Sequence, residues 1–233
     1  MTTAEKITKQ LKALGNKTAA EHAKRFFKIG PGQYGEGDLF LGIKVPVLRQ
    51  LAKEHCDITL DDLIELLHSP LHEVRMMALL IMVLQYKHGN NQTSIYRAYL
   101  DNTHRVNNWD LVDGSAADIV GAHLFERDRK PLYKLAKSKS LWERRIAIVA
   151  TFYFIRRNQF ADTLAIAVLL LNDKEDLMHK AVGWMLREVG KRDLKVEEGF
   201  LIPRYKQIPR TLLRYAIERF PEPKRLAYLH GRL

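Results

Sequence analysis

A phrase of charged residues followed by an apolar helical face recurs along this chain, and it constrains the fold more than any other feature. A cation marks the same place in each copy: Arg75, Arg145, Lys180 and Arg214. Successive marks lie 70, 35 and 34 residues apart. A period of roughly 35–45 residues is typical of stacked helix pairs. The sequence therefore predicts a helical repeat array, with a modified copy near residue 110 inside the longest interval.

Segments with one apolar face lie between the copies of this phrase, and short polar turns join them. They are Leu60 to His68, Thr93 to Leu100, Pro131 to Lys137 and Phe160 to Leu170. Alternating β-branched runs, which would indicate strands, are scarce. We therefore predict an all-α fold, an α-solenoid whose concave groove is lined by one helix of every pair. Residues 1–233 are expected to form a single domain.

One segment interrupts the helical pattern. Residues 28–46 contain five glycines, which predicts a glycine-rich loop over residues 29–42. Residues 30–35 match a dinucleotide-binding pattern, but a helical segment precedes them where that site requires a strand. The loop could bring its amides close to a phosphate, or it could be a plain connector. Pro46 suits the first turn of the following helix.

The charge of the chain favours a polyanionic partner. Lys and Arg number 38 against 27 Asp and Glu, a formal net charge of +11. A basic groove of this kind is typical of nucleic-acid binding, although many basic proteins are basic for other reasons. Cys56 is the only cysteine, which excludes an internal disulfide and favours a reducing compartment. No segment has the apolar pattern of a signal peptide or a membrane span, so we expect a cytoplasmic protein.

The modified copy contains the residues best suited to chemistry. Trp109 and Asp113 are four positions apart, which places an indole and a carboxylate on one helical face. Trp142 with Arg145, and Trp184 with Lys180, repeat this pairing of an aromatic with a charge, a combination that suits nucleic acid. The alternative is that the tryptophans belong to the core and that Asp113 is solvated or paired.

The sequence gives little support for a metal site or for a covalent nucleophile. The nine histidines lack the spacing of a metal site, and Cys56 has no second cysteine nearby. No lysine is isolated in an apolar run, as a lysine with a depressed pKa would be. We therefore expect no metal, no cofactor and no covalent nucleophile.

Several motifs together resemble the AlkD-type DNA alkylation-repair glycosylases, a family of HEAT-like-repeat proteins that release alkylated purines. The resemblance covers nearly the whole chain and rests on four stretches: residues 40–43 with Pro46 and Arg49, residues 109–113, residues 142–145 and residues 180–188. It implies that Trp109, Asp113 and Trp184 surround the deoxyribose of the damaged nucleotide. It also implies that Arg145 holds the neighbouring backbone while the base stays stacked, without a base-flipping pocket.

The resemblance extends to the partner and the reaction. It implies a monomeric, monofunctional glycosylase that releases 3-methyladenine or 7-methylguanine from duplex DNA in base excision repair, and that associates with the nucleoid through DNA. We expect further DNA contacts from Arg144, Lys180, Arg187 and Phe26, the last at the position where the family brings an aromatic from the second helix. Asn108 departs from the family, which can have an aromatic there. The alternative function is a non-catalytic helical scaffold that binds DNA or protein.

Overall fold

The structure, a computed structural model, describes residues 1–232 of the chain. The regular elements of these residues are helices, and one isolated bridge joins Leu39 to Leu71. The predicted all-α class is confirmed. The chain divides into two compact units, residues 1–119 and a second unit from Val120 onward.

Unit 1 contains seven α-helices among its described residues. They are α1 (Thr3–Ala13), α2 (Lys17–Phe26), α3 (Val45–Glu54), α4 (Leu60–Leu67), α5 (His72–Lys87), α6 (Gln92–Asp101) and α7 (Trp109–Asp113). A 3-10 turn, Thr103–Arg105, precedes α7, and a π-helical turn, Ala117–Gly121, follows it. The predicted segments from Leu60 and from Thr93 are α4 and α6.

The second unit continues the series. Its helices are α8 (Ala122–Leu124), α9 (Lys130–Ala136), α10 (Leu141–Ala150), α11 (Phe152–Ile155), α12 (Ala161–Leu170), α13 (Asp176–Gly190), α14 (Leu194–Leu201), α15 (Arg210–Ala216) and α16 (Glu222–His230). The predicted segments from Pro131 and from Phe160 are α9 and α12. No helix within residues 1–232 is both long enough and apolar enough to cross a membrane.

Each unit is built on one central helix of the recurring phrase. α5 packs against α3 and α4, and most of its residues from His72 to Val83 are buried. α13 packs against α14 and α15 in the same way. A side chain at Gly183 of α13 would overlap the carbonyl oxygen of Leu212, so glycine allows α15 to approach this closely. The recurring phrase therefore supplies the cores of both units.

The helices α5, α10 and α13 begin with the same polar contact. The fourth residue of each helix donates to the carbonyl oxygen six residues earlier: Arg75 to Ser69 (3.1 Å), Arg144 to Ser138 (3.1 Å) and His179 to Asp173 (2.6 Å). The equivalent of Arg75 is thus Arg144 and not Arg145, which shifts the predicted register by one residue. Helical periodicity alone cannot choose between two adjacent cations, because both fit it.

The glycine-rich segment is a loop between α2 and α3, as the sequence predicts. Gly42 has a φ of 79°, in the left-handed region. A side chain there would also overlap the carbonyl oxygen of Asn16, so glycine meets both the conformational and the packing requirement. Pro46 lies in the first turn of α3, which fixes where that helix begins.

Candidate functional site

Helix α7 carries the candidate pair of an indole and a carboxylate. Trp109 is its first residue and Asp113 its last, so the prediction that they share one helical face is confirmed. The side chain of Asn108 caps the helix, with its Oδ1 accepting a hydrogen bond from the Trp109 amide at 2.8 Å. Both candidate side chains are half-buried, so each keeps a surface that can contact a ligand.

Trp109 is held by aromatic neighbours from the end of α2. Phe27 stacks on it with ring centroids 5.4 Å apart, and Phe26 meets it edge-on at 5.7 Å. Phe26 is 64% exposed, an unusual position for a large apolar side chain. The structure thus brings two predicted site residues, Phe26 and Trp109, into contact.

Asp113 occupies a helical position that is basic in later repeats. It is the fifth residue of α7, and the fifth residues of α10, α13 and α15 are Arg145, Lys180 and Arg214. Its charge acts on the buried Tyr99, whose pKa is raised first by burial and then by Asp113. At this position α7 has a carboxylate where the later helices have a cation and where α5 has Met76.

Buried charged residues that the sequence analysis missed lie beneath α7. Asp38 accepts hydrogen bonds from His72 Nδ1 (3.2 Å), Arg75 Nη2 (2.6 Å) and Asn108 Nδ2 (3.0 Å). His72 Nε2 lies 2.8 Å from Oδ2 of Asp110, the second residue of α7. Burial alone would raise the pKa of Asp38, but the hydrogen bond from His72 and the charge of Arg75 outweigh it and lower that pKa.

A cavity of about 430 Å³ opens beside Phe26 and Phe27, between α2, α3 and α5. Its walls are mainly apolar, and three buried or half-buried polar side chains also line it: His72, Glu73 and Asp110. All three are bonded within the protein. The Glu73 carboxylate accepts from the amides of residues 41–43 at 2.8, 2.7 and 3.3 Å. The cavity therefore presents mostly hydrocarbon to a ligand.

The glycine-rich loop uses its amides internally. The Gly30 amide donates to Gln33 Oε1 at 3.0 Å, and the Gly32 amide donates to Glu36 Oε2 at 2.9 Å. The Gly35 amide donates to the carbonyl oxygen of Lys28 at 3.2 Å. A carboxylate within the loop also disfavours an approaching phosphate. Of the two interpretations left open by the sequence, the connector fits this geometry better.

Trp184, the candidate of unit 2, lies in the middle of α13 and is half-buried. Its indole Nε1 donates to Glu188 Oε1 at 3.2 Å. Its ring lies 5.7 Å from that of Phe152, and the guanidinium of Arg156 lies 4.0 Å above the Phe152 ring. The aromatic and cationic groups beside Trp184 are thus Phe152 and Arg156. The predicted pairing of Trp184 with Lys180 stays a prediction.

The four predicted cations of unit 2 all have protein partners. Arg144 is 16% exposed and pairs with Asp173 at 2.6 Å, and Lys180 Nζ lies 2.7 Å from Asp176. Arg187 bonds Glu218. Arg145 is only 5% exposed, and its Nη1 donates to the carbonyl oxygen of Leu177 at 2.7 Å. A DNA phosphate would have to join or replace these partners.

The part of the chain that the structure describes contains no candidate metal site. No group of three His, Cys, Asp or Glu side chains there could hold a metal ion. Cys56 is half-buried, and its thiol lies 3.5 Å from the adjacent Asp57 carboxylate. Burial and this carboxylate raise the pKa of the Cys56 thiol, which disfavours a thiolate nucleophile.

The sequence matches one protein family, and the structure resembles solved structures of the same helical-repeat fold. The profile of a family described as DNA alkylation repair enzyme matches residues 7–220. No curated protein matches the sequence.

Two solved structures illustrate the shared fold. A predicted DNA alkylation repair enzyme from Enterococcus faecalis superposes with a TM-score of 0.68 at 15% identity, covering 89% of this chain and 97% of that one. AlkD2 from Streptococcus mutans superposes with a TM-score of 0.55 at 17% identity, covering 88% of this chain and 99% of that one. At these identities the likeness extends to the helical-repeat fold.

Proposed function

Because this chain belongs to the family of DNA alkylation repair enzymes, we propose that it is a DNA glycosylase that hydrolyses the N-glycosidic bond of N3- and N7-alkylated purines in duplex DNA. The observation that carries the proposal is the face of α7. This face presents the indole of Trp109 and the carboxylate of Asp113. Asp113 stands at the position where the later helices have cations.

The chemistry of the lesion matches this pair of side chains. Alkylation at N3 or N7 makes the purine cationic, so the base can leave with the electrons of the glycosidic bond and the sugar becomes oxocarbenium-like. The Asp113 carboxylate stabilises this developing charge and orients the water that attacks the sugar carbon. The Trp109 indole adds a cation–π attraction to the same charge. Because both interactions strengthen as the bond breaks, they accelerate the reaction.

The reaction proposed is hydrolysis without strand cleavage. Strand cleavage through a Schiff base requires a lysine with a depressed pKa, and Lys180, the lysine among the candidates, instead pairs with Asp176. The base is proposed to stay stacked, because the cavity near Phe26 has its buried polar groups bonded within the protein and offers little with which to recognise a purine edge.

The remaining candidates are assigned to DNA binding. Lys180, Arg187 and Arg144 are proposed to contact phosphates, and Phe26 to pack against the sugar edge of the duplex. Trp184 is assigned a contact with deoxyribose, and Arg145 a contact with the backbone beside the lesion. The protein is proposed to act as a cytoplasmic monomer on duplex DNA.

A second candidate function is a non-catalytic scaffold that binds DNA or protein. The observation in its favour is that Arg144, Arg145 and Arg187 already have partners within the protein, which is also expected of structural arginines. A scaffold of this kind would release no base from DNA. It would also be insensitive to Trp184→Ala, unless the indole is part of its binding surface.

Base release from methylated duplex DNA tests the proposal. The wild-type protein is expected to release 7-methylguanine or 3-methyladenine as free bases, identified by mass spectrometry, and to leave abasic sites without strand breaks. Trp184→Ala should reduce the release. A titration of undamaged duplex at several salt concentrations serves as a companion measurement, because phosphate contacts give a steep dependence on salt. If neither base is released while DNA still binds, the scaffold is the better account.

A further inference from the structure

Helix α7 is too short to hold its own orientation. It has five residues, and an isolated helix of that length is unstable in water. Its first turn is instead attached to the rest of unit 1 by polar side chains. Asn108, fully buried, caps the helix through Oδ1 and donates through Nδ2 to Asp38. Asp110 bonds His72. The direction in which Trp109 and Asp113 point therefore depends on these contacts.

His72 connects α7 to the glycine-rich loop. Its Nδ1 faces Asp38 within the loop, and its Nε2 faces Asp110 in α7. The ring stacks on Phe40 at 4.6 Å and lies 5.0 Å from Phe27, the side chain that also stacks on Trp109. A histidine must carry both ring protons to donate to two carboxylates at once. The bridge is therefore complete when His72 is an imidazolium.

We propose that His72 is a positioning residue of this glycosylase: by bridging Asp38 of the glycine-rich loop and Asp110 of α7, it orients Trp109 and Asp113 toward the deoxyribose. The inference rests on the proposed function for its catalytic consequence. It also assigns a role to the loop, which serves as the anchor of α7 through Asp38.

The bridge has a defined dependence on pH. Burial lowers the pKa of His72, but the hydrogen bonds from its ring to Asp110 and Asp38 outweigh burial and raise it to about 9. The imidazolium is therefore present at neutral pH and is lost as the pH rises through about 9. Other titratable or charged side chains near the ring are Arg75 and Glu73 on its own helix, and His22 and Lys44, which line the adjoining cavity. Loss of the proton removes one of the two bonds.

His72→Gln tests the bridge, because a glutamine amide donates only from its nitrogen and cannot donate to two carboxylates on opposite sides. The expected result is a fall of about 10- to 100-fold in the single-turnover rate of base release, with the dissociation constant for the same duplex changed by less than about threefold. His88→Gln, an exposed histidine that ends the same helix, is the matched control and should keep the wild-type rate. A wild-type rate in His72→Gln would overturn the proposal.

The fluorescence of Trp109 gives a second readout that does not depend on catalysis. In a protein with Trp142→Phe and Trp184→Phe, Trp109 is the one remaining tryptophan. Under excitation selective for tryptophan, its emission should change in a step near pH 9. The step should disappear in His72→Gln. If His72→Gln does not fold, Asp110→Ala removes the acceptor that faces Nε2 of His72 and should also remove the step. A step that persists in either variant contradicts the proposal. If the wild type releases no base but the step is present, the proposed function fails and the positioning of α7 stands.

Discussion

The two units of this protein differ in how they accommodate their most deeply buried carboxyl group. In unit 1, Asp38, His72, Arg75 and Asp110 form a chain in which every charge has an opposite partner. In unit 2, Glu197 is 1% exposed, and its Oε1 has no hydrogen-bond partner among the described residues. Burial, followed by the charge of Glu198, raises the pKa of Glu197 to about 8. Unit 1 buries this group as a carboxylate among cations, and unit 2 buries it as a carboxyl group that keeps its proton.

The buried ions of unit 1 position a helix, whereas the buried carboxyl group of unit 2 only fills space. Paired ions in unit 1 are directional, and they connect the loop to the helix that carries Trp109 and Asp113. A protonated Glu197 has no such directed partner and fills space beside Gly190. Both units lose stability as the pH rises, but in different windows. In unit 2 the stability that Glu197 contributes is lost between pH 4.5 and about 8. In unit 1 the stability that His72 contributes is lost between pH 6.5 and about 9.

The largest effect is expected from Arg75→Met in unit 1. The substitution leaves the Asp38 carboxylate buried without its closest cation, so the free energy of unfolding should fall by about 3–5 kcal/mol at neutral pH. Urea denaturation followed by circular dichroism measures it. A loss below about 1 kcal/mol would mean that the ion chain does not stabilise unit 1.

Glu197→Gln should stabilise unit 2, and the gain should depend on pH. The folded carboxyl group keeps its proton up to about pH 8, whereas the unfolded one loses it near 4.5, so the stability of the wild type falls between these values. Glutamine does not ionise and escapes this loss. The difference in unfolding free energy should grow by about 2 kcal/mol between about pH 5.5 and 7. Parallel pH profiles for the two proteins would contradict the assigned state of Glu197.

Arg144→Met is the counterpart of Arg75→Met at the equivalent position of unit 2. Arg144 is 16% exposed against 3% for Arg75, so we expect water to reach Asp173 more readily than Asp38 when the arginine is removed. The free energy of unfolding should fall by about 1.5 kcal/mol, less than for Arg75→Met. Equal losses at the two positions, measured under the same urea conditions, would remove the contrast between the units.

The smallest effect is expected from Lys180→Ala, which tests a proposed phosphate contact. Binding to undamaged duplex should weaken only modestly, and the slope of log affinity against log salt should become shallower by about 0.9. Lys137→Ala, an exposed lysine at the end of α9, is the control and should leave the slope unchanged. The same change of slope in both variants would show that Lys180 contributes only general charge.

The sequence predicts the helices and the α7 pair because both rest on local patterns. Apolar periodicity marks α4, α5, α10 and α13, and a spacing of four residues suffices to put Trp109 and Asp113 on one face. These features depend on neighbours within one or two turns, which a single sequence displays directly.

The ion chain beneath α7 could not be predicted in the same way. Asp38 and Asn108 are 70 residues apart in the chain, and Asp38 and His72 are 34 apart. Nothing in the local pattern of either segment indicates the other, because such contacts arise only when the helices pack. The available signals were Asp38 after the last of four closely spaced glycines and the adjacent His72 and Glu73. Both fit ordinary surface positions equally well.

Asp113 is proposed to accelerate bond breaking and to contribute little to binding. Its most direct test is the single-turnover release of 7-methylguanine by Asp113→Asn, with the affinity for the same methylated duplex measured in parallel and Asp101→Asn as the control. The rate is expected to fall by at least about 100-fold, with the affinity within about threefold of the wild type. A full wild-type rate in Asp113→Asn would contradict this role.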